Sequence, residues 1–257
     1  MYFRQCWRET RIGFVVALLL MVFLAWFSAR LAVPTHSARA EMLRRSPIWS
    51  LTWEDEWDSG ARTFGFYGVL PGLLMGLGFG ASGIGNHASR GLHEFLFTRP
   101  RRRRYLAWGS WLAGASQVLL LVILAAFMLG SVLAFMTEHF LVSTVLIAAL
   151  GVGLPSLVVF SLSHWLTAFT RNPRSAIIYA TAGCVVYISL ASFVYFQMHL
   201  PRLSALLASP MSYNWMRFGP GPQVPLIHLN WIPIAYQSLL VLIFALLTQR
   251  TIEHMDT

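Results

Sequence analysis

The sequence predicts an all-α integral membrane protein that crosses the bilayer six times. Three observations predict it. Hydrophobic residues make up 56% of the 257 and charged ones only 11%, against roughly a quarter charged in an average soluble domain. Six apolar stretches meet or approach the roughly 20 residues that a hydrocarbon core of ~30 Å requires of a helix. The charge lies between those stretches rather than in them.

The first stretch, residues 12–29, follows Arg4, Arg8 and Arg11, as the core of a secretory signal would. Its apolar run exceeds the roughly 7–15 residues of such cores, and Arg30 sits near the expected cleavage site, so an uncleaved span is expected. Before it, residues 1–11 mix Tyr2, Phe3 and Trp7 with the three arginines. That composition suits either a short cytoplasmic interfacial helix, the expectation adopted here, or a frayed basic tail.

The second stretch, residues 64–84, carries Gly72, Gly76 and Gly80 spaced by four, with Gly78, Gly83 and Gly85 nearby. In lipid, glycines on one helical face let backbones approach closely, so this stripe predicts tight helix packing, with a moving seam as the functional variant. The third and fourth stretches, 112–135 and 140–162, are joined by a turn around Thr137, Glu138 and His139 and form a helical hairpin; Pro155 is expected to kink the fourth. Stretches 176–196 and 231–247 complete the set, and residues 1–257 read as a single transmembrane domain.

Two outer segments are too long for simple turns. Residues 31–63 carry Trp49, Trp53, Glu54, Asp55, Glu56 and Trp57, whose indoles are expected to anchor at headgroup level. Residues 197–230 are punctuated by Pro201, Pro210, Pro220, Pro222 and Pro225.

All 19 cationic side chains are arginine. With the N-terminus inside, Arg4, Arg8, Arg11, Arg90, Arg99, Arg101 to Arg104, Arg171, Arg174 and Arg250 fall on the inner side. That is 12 of the 19, leaving seven outside, which satisfies the positive-inside rule and places both termini in the cytoplasm. Clustering beside apolar runs also explains the pI near 10.4 as a topology signal, so no nucleic-acid partner is expected.

Several chemistries are disfavoured. Without lysine there is no phosphate-loop lysine, Schiff base or lysine general base. Cys6 and Cys184 imply neither a disulfide framework nor a cysteine metal cluster. The outer Met198, His199, Met211, Met216 and His228 lack regular ligand spacing, so no metal is expected. Polar residues within the spans are few, among them Gln117, Tyr179, Thr181 and Tyr187, which disfavours a carrier driven by an ion gradient.

Gly80, Ala81, Ser82 and Gly83 resemble the serine motif of rhomboid intramembrane proteases, with His139 as the candidate base. The expected topology separates the two by a bilayer. A membrane hydrolase and a non-transporting assembly factor stand as the alternatives to transport.

The most informative segment is the inner connection from Ser89 to Arg104. Gly91 opens a short amphipathic helix, Leu92, Phe95 and Leu96 share one face, and Pro100 ends it before the arginine run. An apolar face beside charges suits an interfacial anchor or a docking element for a soluble partner.

The pattern Gly91, Glu94, Phe95, Leu96, Thr98, Arg99, Pro100, followed by arginines and a span, resembles the loop after the second span of type-2 ABC exporter permeases. Leu92 stands where that family usually has threonine, and Trp108 or Ser110 where a lysine often begins the third span. The resemblance implies that residues 91–100 form a coupling helix docking on an ABC-type ATPase subunit. It implies a second permease subunit, a cytoplasmic (inner) membrane location, and ATP with Mg bound in the partner chain. No Gly-x-x-x-x-Gly-Lys phosphate loop occurs in this chain, so no ATPase site of its own is expected.

Overall fold

The computed structural model describes residues 2–33, 53–89, 100–196 and 231–254. Among the described residues the secondary structure is six long helices: α1 (Tyr2–Ala32), α2 (Trp53–Ser89), α3 (Pro100–Thr137), α4 (Val142–Thr170), α5 (Pro173–Phe196) and α6 (Trp231–Glu253). Five contain segments long and apolar enough to cross a membrane: Thr10–Ala32, Ser59–Ser82, Ala107–Thr137, Val142–Thr170 and Ile234–Glu253. The 24 residues of α5 extend about 36 Å at helical rise. The chain is an all-α, multi-pass membrane protein.

α4 occupies the middle of the bundle and packs on α2, α3, α5 and α6, while α1 packs on α2 and α3. Burial along α1 shows which solvent the fold is built for. Its inward line is Ala17, Met21, Ala25 and Ala29, four residues apart and buried, whereas Val16, Leu19, Leu20, Phe23, Trp26 and Phe27 are exposed. In water so continuous an apolar surface would aggregate. In lipid, small residues belong at helix contacts and large apolar ones face the acyl chains.

The connections follow from local chemistry. α3 ends at Thr137, and Glu138 adopts φ 61°, the left-handed conformation of a helix C-terminus, with its N–H on the Ala134 carbonyl at 2.8 Å. α4 ends the same way at Arg171, φ 55°, whose N–H reaches the Thr167 carbonyl at 2.9 Å. Asn172 then caps α5 by accepting the Arg174 N–H at 3.0 Å, and Pro173 supplies a pre-set first turn.

The helices outrun the apolar stretches. α1 is one continuous helix from Tyr2, so the expected separate interfacial helix is not present. Nothing before Gly13 breaks the helix, and its first turns have partners: Trp7 lies against Phe14 with ring centroids 5.5 Å apart, and the Gln117 amide donates to Thr10 Oγ1 at 2.6 Å.

α2 starts at Trp53 rather than at 64, so the segment between the first two helices is shorter than expected. Trp57 is not a headgroup anchor but is buried. It donates to Thr137 Oγ1 at 3.0 Å and meets Phe140 edge-on. α4 continues through Pro155 and eight residues past 162, to Thr170. α3 begins at Pro100, not 112, with proline at the first helical position where its missing N–H costs nothing.

Candidate functional site

Two helix faces and one helical connection carry the features that bear on function. The first is the α2–α4 contact. A Cβ on Gly76 would lie 2.5 Å from the Ser156 carbonyl oxygen, and one on Gly80 would lie 2.5 Å from the Phe160 carbonyl oxygen. One on Gly72 would collide with Ser156 Oγ. The stripe therefore lies directly against the backbone of α4, with Ser156 turned onto its own helix at Val152 O, 2.6 Å away.

Where the stripe ends, a polar cluster begins. Ser163 Oγ donates to the Leu77 carbonyl at 3.0 Å. His164 is fully buried, stacked on Phe160 with centroids 5.6 Å apart. Its Nδ1 lies 3.2 Å from the Gly80 carbonyl oxygen and its Nε2 3.2 Å from Ser110 Oγ. A carbonyl only accepts, so Nδ1 carries a hydrogen; at Nε2 the ring meets the Ser110 hydroxyl, whose single hydrogen is shared with the Ala107 carbonyl oxygen, 3.0 Å away. One imidazole thus ties α2, α3 and α4 together.

Three indoles complete the same end of the bundle. Trp111 Nε1 donates to Ser161 Oγ at 3.1 Å, Trp108 Nε1 to Gln249 Oε1 at 3.0 Å, and Trp165 Nε1 to Thr251 Oγ1 at 3.2 Å. Arg104 pairs with Glu253 at 2.5 Å at the rim, where the guanidinium is mostly exposed.

Ser110 and His164 have the spacing of a nucleophile and its base, oriented by a carbonyl. Both are sealed, at 2% and 0% exposure, so the pair serves as a polar lock rather than a reaction centre. The rhomboid-like pair fares worse. Trp57 on Thr137 places the start of α2 beside the α3–α4 turn that holds His139, and Ser82 follows 25 residues later, about 37 Å along the helix. Ser82 Oγ donates to the Phe79 carbonyl at 3.0 Å.

The third feature is the connection between α2 and α3. α2 runs to Ser89, five residues past Ile84, where its apolar stretch ends, and α3 opens on Pro100 and Arg101 to Arg104 before its own apolar run begins. Both helices therefore continue through polar residues to the ends of the connection, Ser89 and Pro100. Gly91, Glu94, Phe95, Leu96, Thr98 and Arg99 lie outside the described residues. So do Met198, His199, Met211, Met216 and His228.

Pro100 opens α3, so Arg101 to Arg104 occupy its first turn, where the positive end of the helix dipole disfavours cations. Helix stability does not account for that run. Topology or an anionic partner does.

An open cavity of about 350 Å³ lies between α1 and α2, lined by Thr10, Gly13, Ala17, Met75, Gly78, Phe79 and Ser82. Among the described residues no three His, Cys, Asp or Glu side chains gather as a metal site would require. The sequence reading missed His164 because the fourth apolar stretch was ended at 162. The signal was there: Ser156, Ser163, His164 and Thr167 recur at helical spacing on one face, opposite Gly72, Gly76 and Gly80.

No curated protein and no solved structure matches the chain. Residues 55–257, from the start of α2 through the last helix, match the family described as "Protein of unknown function (DUF2705)", and the chain belongs to that family.

Proposed function

We propose that this chain is the membrane-spanning permease subunit of an ATP-binding-cassette exporter in the cytoplasmic (inner) membrane. In this reading α5 also crosses the membrane, which makes six spans, both termini are cytoplasmic, and a second permease subunit completes the translocation pathway. The ATPase, with its ATP and Mg, is a separate chain.

One observation carries the reading. The segment resembling the type-2 coupling motif, Gly91 to Pro100, falls between two helices that continue through polar residues past their apolar stretches. A docking element must stand clear of headgroups to reach a soluble partner, and these arms provide that clearance. Phe95 and Leu96 would fill a groove on the ATPase, while Glu94, Arg99 and Arg101 to Arg104 would set charge complementarity. The arginine run, unfavourable where it sits in α3, suits such a contact.

The α2–α4 contact and the His164 junction suit a rigid unit. Rigidity lets force applied at the connection move helices as a body, provided the ATPase binds the two transport states unequally. The test is purification of the tagged chain from its native membrane with its soluble partner. An ABC-type ATPase is expected; a stoichiometric partner lacking an ATP-binding fold would instead make the chain a membrane assembly factor.

A further inference from the structure

Of the six described helices, two carry a proline beyond their first turn, α2 at Pro71 and α4 at Pro155. These two helices run parallel in a constant register. Gly80 and His164 stand 84 positions apart along the chain. The same separation relates Gly68 to Val152, Gly72 to Ser156 and Gly76 to Phe160, pairs in which a Cβ on the glycine would touch its partner. Pro71 and Pro155 share that separation as well, so the two prolines lie at one level of the bundle, in the sequences Leu70-Pro71-Gly72-Leu73 and Leu154-Pro155-Ser156-Leu157.

Each proline removes the helical bond to the carbonyl four residues back, at Tyr67 in α2 and Gly151 in α4, and its ring pushes that carbonyl aside. Other features loosen the same level. Ser156 donates to the Val152 carbonyl at 2.6 Å, a kind of bond that bends helices, and Gly68, Gly72, Gly151 and Gly153 flank the prolines. α1 contains no proline and α3 only Pro100 at its first position, so both pass this level with every backbone N–H present.

On one side of the prolines α2 and α4 are bonded to each other, Ser163 donating to the Leu77 carbonyl and His164 to that of Gly80. On the other side, the start of α2 is held at the α3–α4 turn by Trp57 on Thr137 and Phe140. A break in one helix alone would be held straight by its neighbour. Breaks at one level in both let the pair bend as one.

We infer that Pro71 and Pro155 form one shared hinge, about which the halves of α2 and α4 that end at Ser89 and Thr170 swing together against the halves that begin at Trp53 and Val142. The hinge rests on the fold alone and stands whether or not the chain is a permease.

Double electron–electron resonance on the full chain in lipid nanodiscs, with Cys6 and Cys184 replaced by alanine, tests it with two label pairs between α1 and α4. α1 runs antiparallel to α2, with Gly13 beside Phe79 and Ala32 beside Gly60. Ile12→Cys with Phe169→Cys therefore spans the half that holds His164, and Leu31→Cys with Leu146→Cys spans the other; all four positions are exposed. The first pair is expected to give a distance distribution at least about twofold wider than the second. Pro71→Ala and Pro155→Ala restore the missing helical bonds, and each alone is expected to narrow the first distribution to the width of the second, because the helices move together.

Equal widths for the two pairs in the parent chain overturn the hinge and leave the prolines as fixed bends. A first-pair width that survives both substitutions overturns it too, by placing the motion elsewhere. Partial narrowing by each substitution, complete only in the double variant, overturns the sharing in favour of two independent kinks.

Discussion

His164 Nδ1 lies 3.2 Å from the carbonyl oxygen of Gly80, at the point where the close α2–α4 contact gives way to a polar end of the bundle. A helix that carries a buried imidazole has to satisfy both ring nitrogens, because neither lipid nor side-chain hydrocarbon can do so. Gly80 permits this by letting the backbones approach, and Ser110 supplies the second partner from α3. Close packing and polar satisfaction are thus one arrangement, centred on the contact between α2 and α4.

Removing the junction should loosen three helices together. His164→Ala is expected to cost about 1–3 kcal/mol, since it leaves a void and strips partners from buried polar groups. Ser110→Ala should cost less, about 0.6 kcal/mol, the average for a side-chain hydrogen bond between helices in a bilayer. Thermal unfolding in detergent, followed by size-exclusion chromatography, checks the order. Equal losses would mean that the bond to Ser110 accounts for all that the ring contributes.

Bulk on the stripe should be far less tolerable than bulk on the opposite side of α2. Gly76→Leu and Gly80→Leu drive side-chain atoms into the α4 backbone and are expected to destabilise by about 1–3 kcal/mol or more. Gly78→Leu, pointing into the groove, should leave the melting temperature at or above that of the parent, since leucine is the better helix former. The same melting assay decides; a drop for Gly78→Leu matching that for Gly76→Leu would show that the two faces are not distinct.

The two ends of the α2–α3 pair should label from opposite sides of the membrane. In a chain with Cys6 and Cys184 replaced by alanine, Glu94→Cys should react with an impermeant maleimide only from the cytoplasmic face. His139→Cys, in the turn between α3 and α4, should react only from the other. Labelling of both from one side contradicts the orientation that the arginines predict.

The places where sequence and structure part company share a cause. Apolar runs located the helices because hydropathy reports the hydrocarbon interior directly. They did not locate the helix ends, because α2, α3, α4 and α6 extend through polar and aromatic residues whose donors are taken up by neighbouring helices. Trp108 on Gln249 and Trp165 on Thr251 are examples. Such partnerships join residues 141 and 86 positions apart, beyond the reach of any local pattern. Trp57 shows the same thing at the opposite end, where an apparent interfacial anchor is a buried hydrogen-bond donor to Thr137. The glycine spacing on α2 was legible because close approach in lipid leaves few other choices of residue. The α1–α2 groove was not, since Gly13 and Gly78 belong to different helices and acquire meaning only when the two face each other.

Transport-linked ATP hydrolysis is the most direct test of the docking proposal. In proteoliposomes containing the chain and its copurifying ATPase, Phe95→Asp and Glu94→Arg should each abolish the stimulation of hydrolysis that the parent chain produces. Gly78→Leu, remote from the connection, should preserve it. Stimulation that persists undiminished in both Phe95→Asp and Glu94→Arg, with the proteins inserted normally, would contradict a coupling role for the connection between α2 and α3.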